Sequence, residues 1–264
     1  MDEKEVLKER FKSAICSAIK VIAGNGDLEI KFGKSAEPKN NYLCLPEINK
    51  LSTLEDYIYI RAKADSAALK IKYTDKKIYS KNQPKGKVAK TLYAIAEKIR
   101  YEKIGSNRLK GIKNNLVQSY ENSIKNKKNE VTTDLPNETV AEAFELYLRT
   151  RFFNIKQNTI TKKILNNWQS IFDKNLKQGI QQLKGHINDQ NKFNLITSQL
   201  ISNLELEETD ATEENEKNEE APNDSGQTNK TTEENNPFDQ ESAEEEMELN
   251  MMENNLLSVN ENDD

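Results

Sequence analysis

Apolar side chains recur along most of this chain at helical spacing. Leu7, Phe11, Ile15, Ala18, Ile19 and Ile22 share one face of a first helix, which ends at Gly24-Asn25-Gly26. Leu28, Ile30 and Phe32 then alternate with Glu29 and Lys31, the period of a short strand with one buried face. After a loop over 33–41, the run Tyr42-Leu43-Cys44-Leu45 before Pro46 reads as a second strand, paired with the first as a short β-hairpin. Residues 57–64 alternate like a strand, yet Thr53-Leu54-Glu55-Asp56 opens like a capped helix, and Ala64, Ala68 and Ile71 continue at helical spacing. The reading is a helix over 54–72, followed by a polar connection over 75–83.

Two central helices follow. Apolar positions recur at 88, 92, 95, 96 and 99, and again at 109, 112, 116, 120 and 124. Gly105 and Gly111 lie where one helix hands over to the next, so a break, a C-cap or a close backbone approach is expected there. Arg108, between them, can reach a carboxylate or a helix C-terminus, or stand solvated on a kinked helical hairpin. Beyond a charged loop over 126–134, helices are predicted over 138–152, from near Thr159 through Phe172, and across Phe193, Ile196, Leu200 and Leu204. Burying one large apolar side chain stabilises by roughly 1.5–3 kcal/mol, so five or six such helices carry a core. The fold class is mainly α: a multi-helix domain with one short β-hairpin near its N-terminus, followed by a disordered acidic tail.

Charge sharpens that division. The chain has 264 residues and a net charge of −5. Residues 205–264 hold 22 acidic side chains against Lys217 and Lys230, leaving −20 there and +15 on residues 1–204. The expected organisation is a basic folded body over 1–204 and a disordered tail over 205–264. Within the tail, Met247, Leu249, Met251, Met252, Leu256 and Leu257 form an apolar island, either a short docking helix or stray apolar residues in a solvated segment. No run of about 18 apolar residues occurs, and Met1-Asp2-Glu3-Lys4-Glu5 lacks the apolar core of a secretory signal. A cytoplasmic location without membrane contact is expected.

The chemistry-bearing residues are few. Gly24-Asn25-Gly26 lacks the Lys-Ser/Thr that a phosphate-binding loop requires. His186 is the single histidine, a helix-end residue beside Gly185, so neither a Ser/His/Asp triad nor a two-His metal site can be assembled. Cys16 and Cys44 read as buried thiols rather than ligands. Asp65 and Glu102 read as ion-pair partners of Arg61 or Arg108. No catalytic residue, metal ligand or bound cofactor is assigned. Residues 61–128 hold 19 Lys/Arg against 5 Asp/Glu, a local +14 that is either a phosphate-binding stripe, plain lysine-rich composition, or a surface masked by the acidic tail.

Several runs, taken in order, resemble one family. Glu102, Ile104, Gly105, Arg108 and Gly111, with Asn115-Leu116 after them, are similar to a Glu-x-Ile-Gly-x-x-Arg-x-x-Gly pattern of the T subunit of aerobic cobaltochelatase (the CobT type). Ala64-Asp65-Ser66-Ala67-Ala68-Leu69 resembles that family's Ala-Asp-Ser-x-Ala-Leu, Asp75 and Pro84 stand at corresponding places, and Lys163 to Trp168 resembles a Lys-Ile-x-x-x-Trp helix start. The likeness runs from about Phe11 to Leu206. It implies a subunit without its own active site, accessory to a ligase that forms nitrogen–metal bonds. The implied partners are an ATP-hydrolysing AAA+ S-type subunit and a large N-type subunit that inserts cobalt into hydrogenobyrinic acid a,c-diamide during cobalamin synthesis. Cobalt and ATP are then handled by those partners, and docking is expected to use Asp65, Glu102, Gly105, Arg108 and Gly111.

Two departures stand out. The family's von Willebrand A-type domain, with its Asp-x-Ser-x-Ser metal site, is expected to be missing: the sequence stops inside what resembles the acidic linker, and Asp224-Ser225-Gly226 does not fit the site. The resemblance also implies histidines flanking the equivalent of Asp75, where Thr74 and Tyr79 stand. The alternative is an interaction or nucleic-acid-binding protein that reuses this domain outside cobalamin synthesis.

Overall fold

The computed structural model describes residues 3–33, 41–48, 51–126, 136–204 and 206. The acidic segment 205–264, apart from Leu206, and the loop over 126–134, apart from Asn126, lie outside the described residues.

Helix α1 (Glu3–Ala23) buries Ile15, Ile19 and Ile22 and ends at Gly24, whose φ of 72° suits a residue without a side chain. Strands β1 (Glu29–Phe32) and β2 (Tyr42–Leu45) pair where the alternation placed them. They run parallel, Glu29 opposite Tyr42 and Phe32 opposite Leu45, not as the hairpin expected. The reason is the connection. The nine residues 33–41 far exceed a two-residue hairpin turn, so the connection does not impose antiparallel pairing. Alternation reports which face is buried and says nothing about direction.

Helix α2 (Leu54–Tyr73) starts on a capping box. Thr53 Oγ1 accepts from the Asp56 N–H, and the Asp56 carboxylate accepts from the Thr53 N–H. Asp75 then caps a short helix, α3 (Lys76–Asn82), where a polar connection was expected. Helix α4 (Lys87–Arg108) buries 13 of its 22 residues and is followed by α5 (Lys110–Asn126). The break falls at Leu109, extended at φ −131°, and not at either glycine. Helix α6 (Pro136–Phe153) matches its predicted span. The helix predicted from Thr159 through Phe172 is two, α7 (Thr159–Leu165) and α8 (Gln169–Asn175), because the chain turns at Asn166-Asn167-Trp168. Then come α9 (Lys177–Gly185), with His186 as its C-cap, and α10 (Gln190–Ser202), capped by Asp189.

Two apolar clusters result. One joins α1, the small sheet and the buried face of α2 to Tyr101, Ile112 and Leu116. The other joins the remainder of α4 to α6 and the helices that follow it. Helices α4 and α5 supply both clusters, so a side chain on α4 can couple the two halves. No helix among the described residues is long and apolar enough to cross a membrane.

Candidate functional site

The runs that resemble a known family meet where α2, α4 and α5 pack together. On α2, Ala64, Asp65, Ala68 and Leu69 are all buried. Gly105 of α4 faces Leu69 so closely that a Cβ there would stand 2.5 Å from Leu69 Cδ1 and 3.0 Å from Cγ. Of the readings open for Gly105, close backbone approach is the one found. Gly111, in the first turn of α5, has nothing within 4 Å of where a Cβ would lie.

Both buried carboxylates of this region are engaged. Asn115 Nδ2 donates to Asp65 Oδ2 at 2.8 Å. Arg61 Nη2 stands 2.9 Å from Asp65 Oδ1, an ion pair whose geometry is out of line for a hydrogen bond. Burial raises the Asp65 carboxyl above its ordinary value, outweighing the opposite pulls of Asn115 and Arg61. Arg61 is therefore the partner of Asp65, as expected. Glu102 pairs with neither Arg61 nor Arg108. Ser66 Oγ donates to its Oε1 at 2.6 Å, and Arg149 Nη1 of α6 donates to Oε2 at 2.9 Å. Arg149 Nε also donates to Glu145 Oε1 at 2.7 Å, and its guanidinium lies 4.5 Å from the Tyr120 ring centroid. Burial pulls the Arg149 pKa down, but Glu102 and Glu145 more than offset it and leave it above the ordinary value. Lys98 faces the same small cavity of about 70 Å³, its amine held below its ordinary value by burial.

A second buried pair ties the end of α2 to α4. Arg100 donates to Glu97 through Nε at 2.8 Å and Nη2 at 2.7 Å, and Nη2 also donates to the Tyr73 carbonyl. Thr74 Oγ1 donates to Glu97 Oε1 at 2.8 Å. Asp75 accepts from Lys77 N and Ile78 N, while its own N–H and C=O are both held by the Gln190 side chain. Thr74 and Tyr79 thus have definite places: one on the Glu97 carboxylate, the other with its ring 4.9 Å from Tyr93.

The five candidate docking residues do not form one patch. Asp65, Glu102 and Gly105 are interior. Arg108 and Gly111 are exposed, on opposite sides of the Leu109 break. Arg108 lies 5.4 Å from the Tyr73 ring centroid and lines an open groove of about 640 Å³ with Lys72, Ile104 and residues 188–191. Gly111 lines a second groove, of about 530 Å³, between α1, α2 and α5. Arg149 and Gln190, which matter most to the polar interior, were not singled out in the sequence. Glu145 and Arg149 do stand four apart on α6, but that spacing usually reads as an exposed pair. Cys16 is half-buried and Cys44 exposed, a correction to the two buried thiols expected. Among the described residues, no three His, Cys, Asp or Glu side chains gather to hold a metal ion.

Asp65 gives a test with a defined sign. Its folded-state pKa lies above the unfolded one, so ionising it costs stability. That cost is absent below the unfolded carboxyl pKa and builds as pH rises through the folded value. Asp65→Asn keeps an acceptor for Asn115 and removes the charge. Urea midpoints from pH 4 to 7 are expected to rise in the variant relative to the parent as pH increases. A variant that is weaker at pH 7 would mean that the Arg61 pair outweighs burial.

The chain is thus a helical domain whose buried carboxylates in this region are held by structural partners and whose motif residues interlock three helices. It belongs to the CobT family: the model described as cobalamin biosynthesis protein CobT matches residues 5–264. No solved structure matches the chain.

Proposed function

We propose that this chain is a non-catalytic, partner-docking subunit of an ATP-dependent aerobic cobaltochelatase, in which cobalt is a substrate handled by other subunits. Family membership supplies the setting, cobalamin biosynthesis. The observation that carries the docking role is the division of the motif residues. Those that bear carboxylates are committed to Ser66, Asn115, Arg61 and Arg149 inside the domain, while Arg108 and Gly111 stand at open grooves. Asp65, Glu102 and Gly105 then serve docking indirectly, by holding α4 and α5 in the arrangement that presents Arg108.

Arg108 is the residue to test. Its planar fork of donors suits a carboxylate on a partner, and Tyr73 holds the guanidinium at the groove mouth. An AAA+ S-type subunit is the proposed partner for this groove, and the large N-type subunit completes the complex. Arg108→Ala is expected to keep the melting temperature within about 3 °C of the parent, since an exposed side chain is lost. Capture of the S-type subunit in a pull-down should fall about tenfold, equivalent to roughly 1.4 kcal/mol. Unchanged capture would overturn the assignment of Arg108. Failure of the parent chain to capture the subunit, together with salt-steep binding to duplex oligonucleotides, would overturn the subunit reading itself.

A further inference from the structure

The groove between α1, α2 and α5 has the build of a helix-docking site. Its lining includes the small residues Ser17, Ala18 and Gly111 beside the buried Ile22 and Ile112, and nothing lies within 4 Å of where a Gly111 Cβ would stand. Its walls include Val21, 78% exposed, and Leu109, 50% exposed, both large apolar side chains left to solvent. Arg61 and Lys110 stand at its rim. An occupant should therefore be narrow, with an apolar stripe flanked by acidic residues.

This chain carries such a segment. Residues 244–257 read Glu-Glu-Glu-Met-Glu-Leu-Asn-Met-Met-Glu-Asn-Asn-Leu-Leu, with five carboxylates and no basic residue. Leu249, Met252 and Leu256 recur at i, i+3 and i+7, the spacing by which an amphipathic segment reads a groove. Methionine adapts to shallow apolar surfaces better than branched side chains do. We propose that residues 244–257 dock in the Gly111 groove of the same molecule, with Leu249, Met252 and Leu256 against Val21, Leu109 and Ile112 and the glutamates toward Arg61 and Lys110.

Reach and charge both favour this. Residues 207–243 separate the segment from Leu206, and a stretch of that length can reach at most about 120 Å, far more than the body requires. A domain of this size has a radius of gyration of about 17 Å, so the groove lies within range. The body carries +15 against −20 on the tail, so encounter is steered toward the body. Because segment and groove belong to one chain, their contact does not require two molecules to be brought together. The docking is independent of the cobaltochelatase reading.

The test uses the full chain with the photoreactive residue p-benzoylphenylalanine in place of Met252, which lies on the docking stripe. Irradiation followed by peptide mapping is expected to give adducts within one molecule, on Val21, Leu109 or Ile112. Gly111→Leu puts a side chain into the groove at a position where its Cβ is free of neighbours, and Lys110→Glu reverses a rim charge. Each should cut that yield about tenfold, equivalent to roughly 1.4 kcal/mol, with the melting temperature little changed. Raising salt from about 50 to about 500 mM should also lower it, because rim charges are screened. Adducts joining two molecules, adducts scattered over the 61–128 surface, or a yield indifferent to both substitutions would each overturn the proposal.

Discussion

Gly105→Val is expected to lower the melting temperature by about 5–10 °C. A Cβ at this position meets Leu69 Cδ1 at 2.5 Å, and Leu69 is 1% exposed, so its side chain has little room to yield. Overpacking of a filled interior typically costs about 1–3 kcal/mol, and valine adds two methyl groups beyond the Cβ. Against this, replacing a mid-helix glycine gains only a few tenths of a kcal/mol for valine, because β-branching offsets part of the benefit. The net cost is about 2–3 kcal/mol, and for a domain of this size each kcal/mol moves the midpoint by about 2–4 °C. Gly111→Ala should move it slightly the other way, since that site is open, with a gain below the roughly 1 kcal/mol of a helix interior because Gly111 lies in the first turn. A double-mutant cycle pins the cause. In a Leu69→Ala background, Gly105→Ala should cost nothing, because the space has been vacated. If Gly105→Val melts with the parent, α2 and α4 are not locked at this glycine.

The contrast between the two glycines marks how far sequence reasoning reaches. Spacing identified α1, α2, α4, α5, α6 and α10 because the apolar residues of each recur at helical intervals. It missed α3 because none of its residues is buried: Lys76–Asn82 is ordered by the Asp75 cap and by contacts from α10, which leave no apolar period to read. The glycines signalled that something happens near 105–111. Which one sits in a tight approach depends on Leu69, a residue 36 positions away and legible only in three dimensions. The candidate site divides in the same way. Asp65 and Arg61 are four apart on one helix, and their pairing was readable. Glu102 takes its cation from Arg149 on α6, and Arg108 lies over an aromatic ring instead of a carboxylate. Long-range pairing of charges has no local signature, so the family likeness flagged the positions without indicating what they touch.

Arg149→Ala is expected to be the most damaging single truncation in the domain, costing about 3–5 kcal/mol, because a buried pair broken on one side leaves an uncompensated charge. Arg149 is 5% exposed and Glu102 1%, so the pair is almost wholly withdrawn from solvent. Removing it leaves the Glu102 and Glu145 carboxylates on one small cavity without the cation between them, and takes away the surface that Tyr120 packs against. Lys98 faces the same cavity and is attracted by Glu145 and Glu102, so it offsets part of the loss but has no planar fork to bridge both carboxylates. At about 2–4 °C per kcal/mol the midpoint should fall by roughly 6–20 °C. The attribution to charge is checked by a cycle with Glu102→Gln. If the ion pair is what holds α6 on α4, Arg149→Ala should cost at least about 1.5 kcal/mol less in that background than in the parent. Arg149→Met separates packing from charge: it restores most of the lost contact with Tyr120 and leaves the carboxylates unpaired, so it should remain nearly as unstable as Arg149→Ala. Recovery in Arg149→Met alone would assign the role to packing. Recovery only when Glu102→Gln is added would assign it to the buried pair, and with it the reason that α4, and the Arg108 it ends on, is held in place from both of its faces.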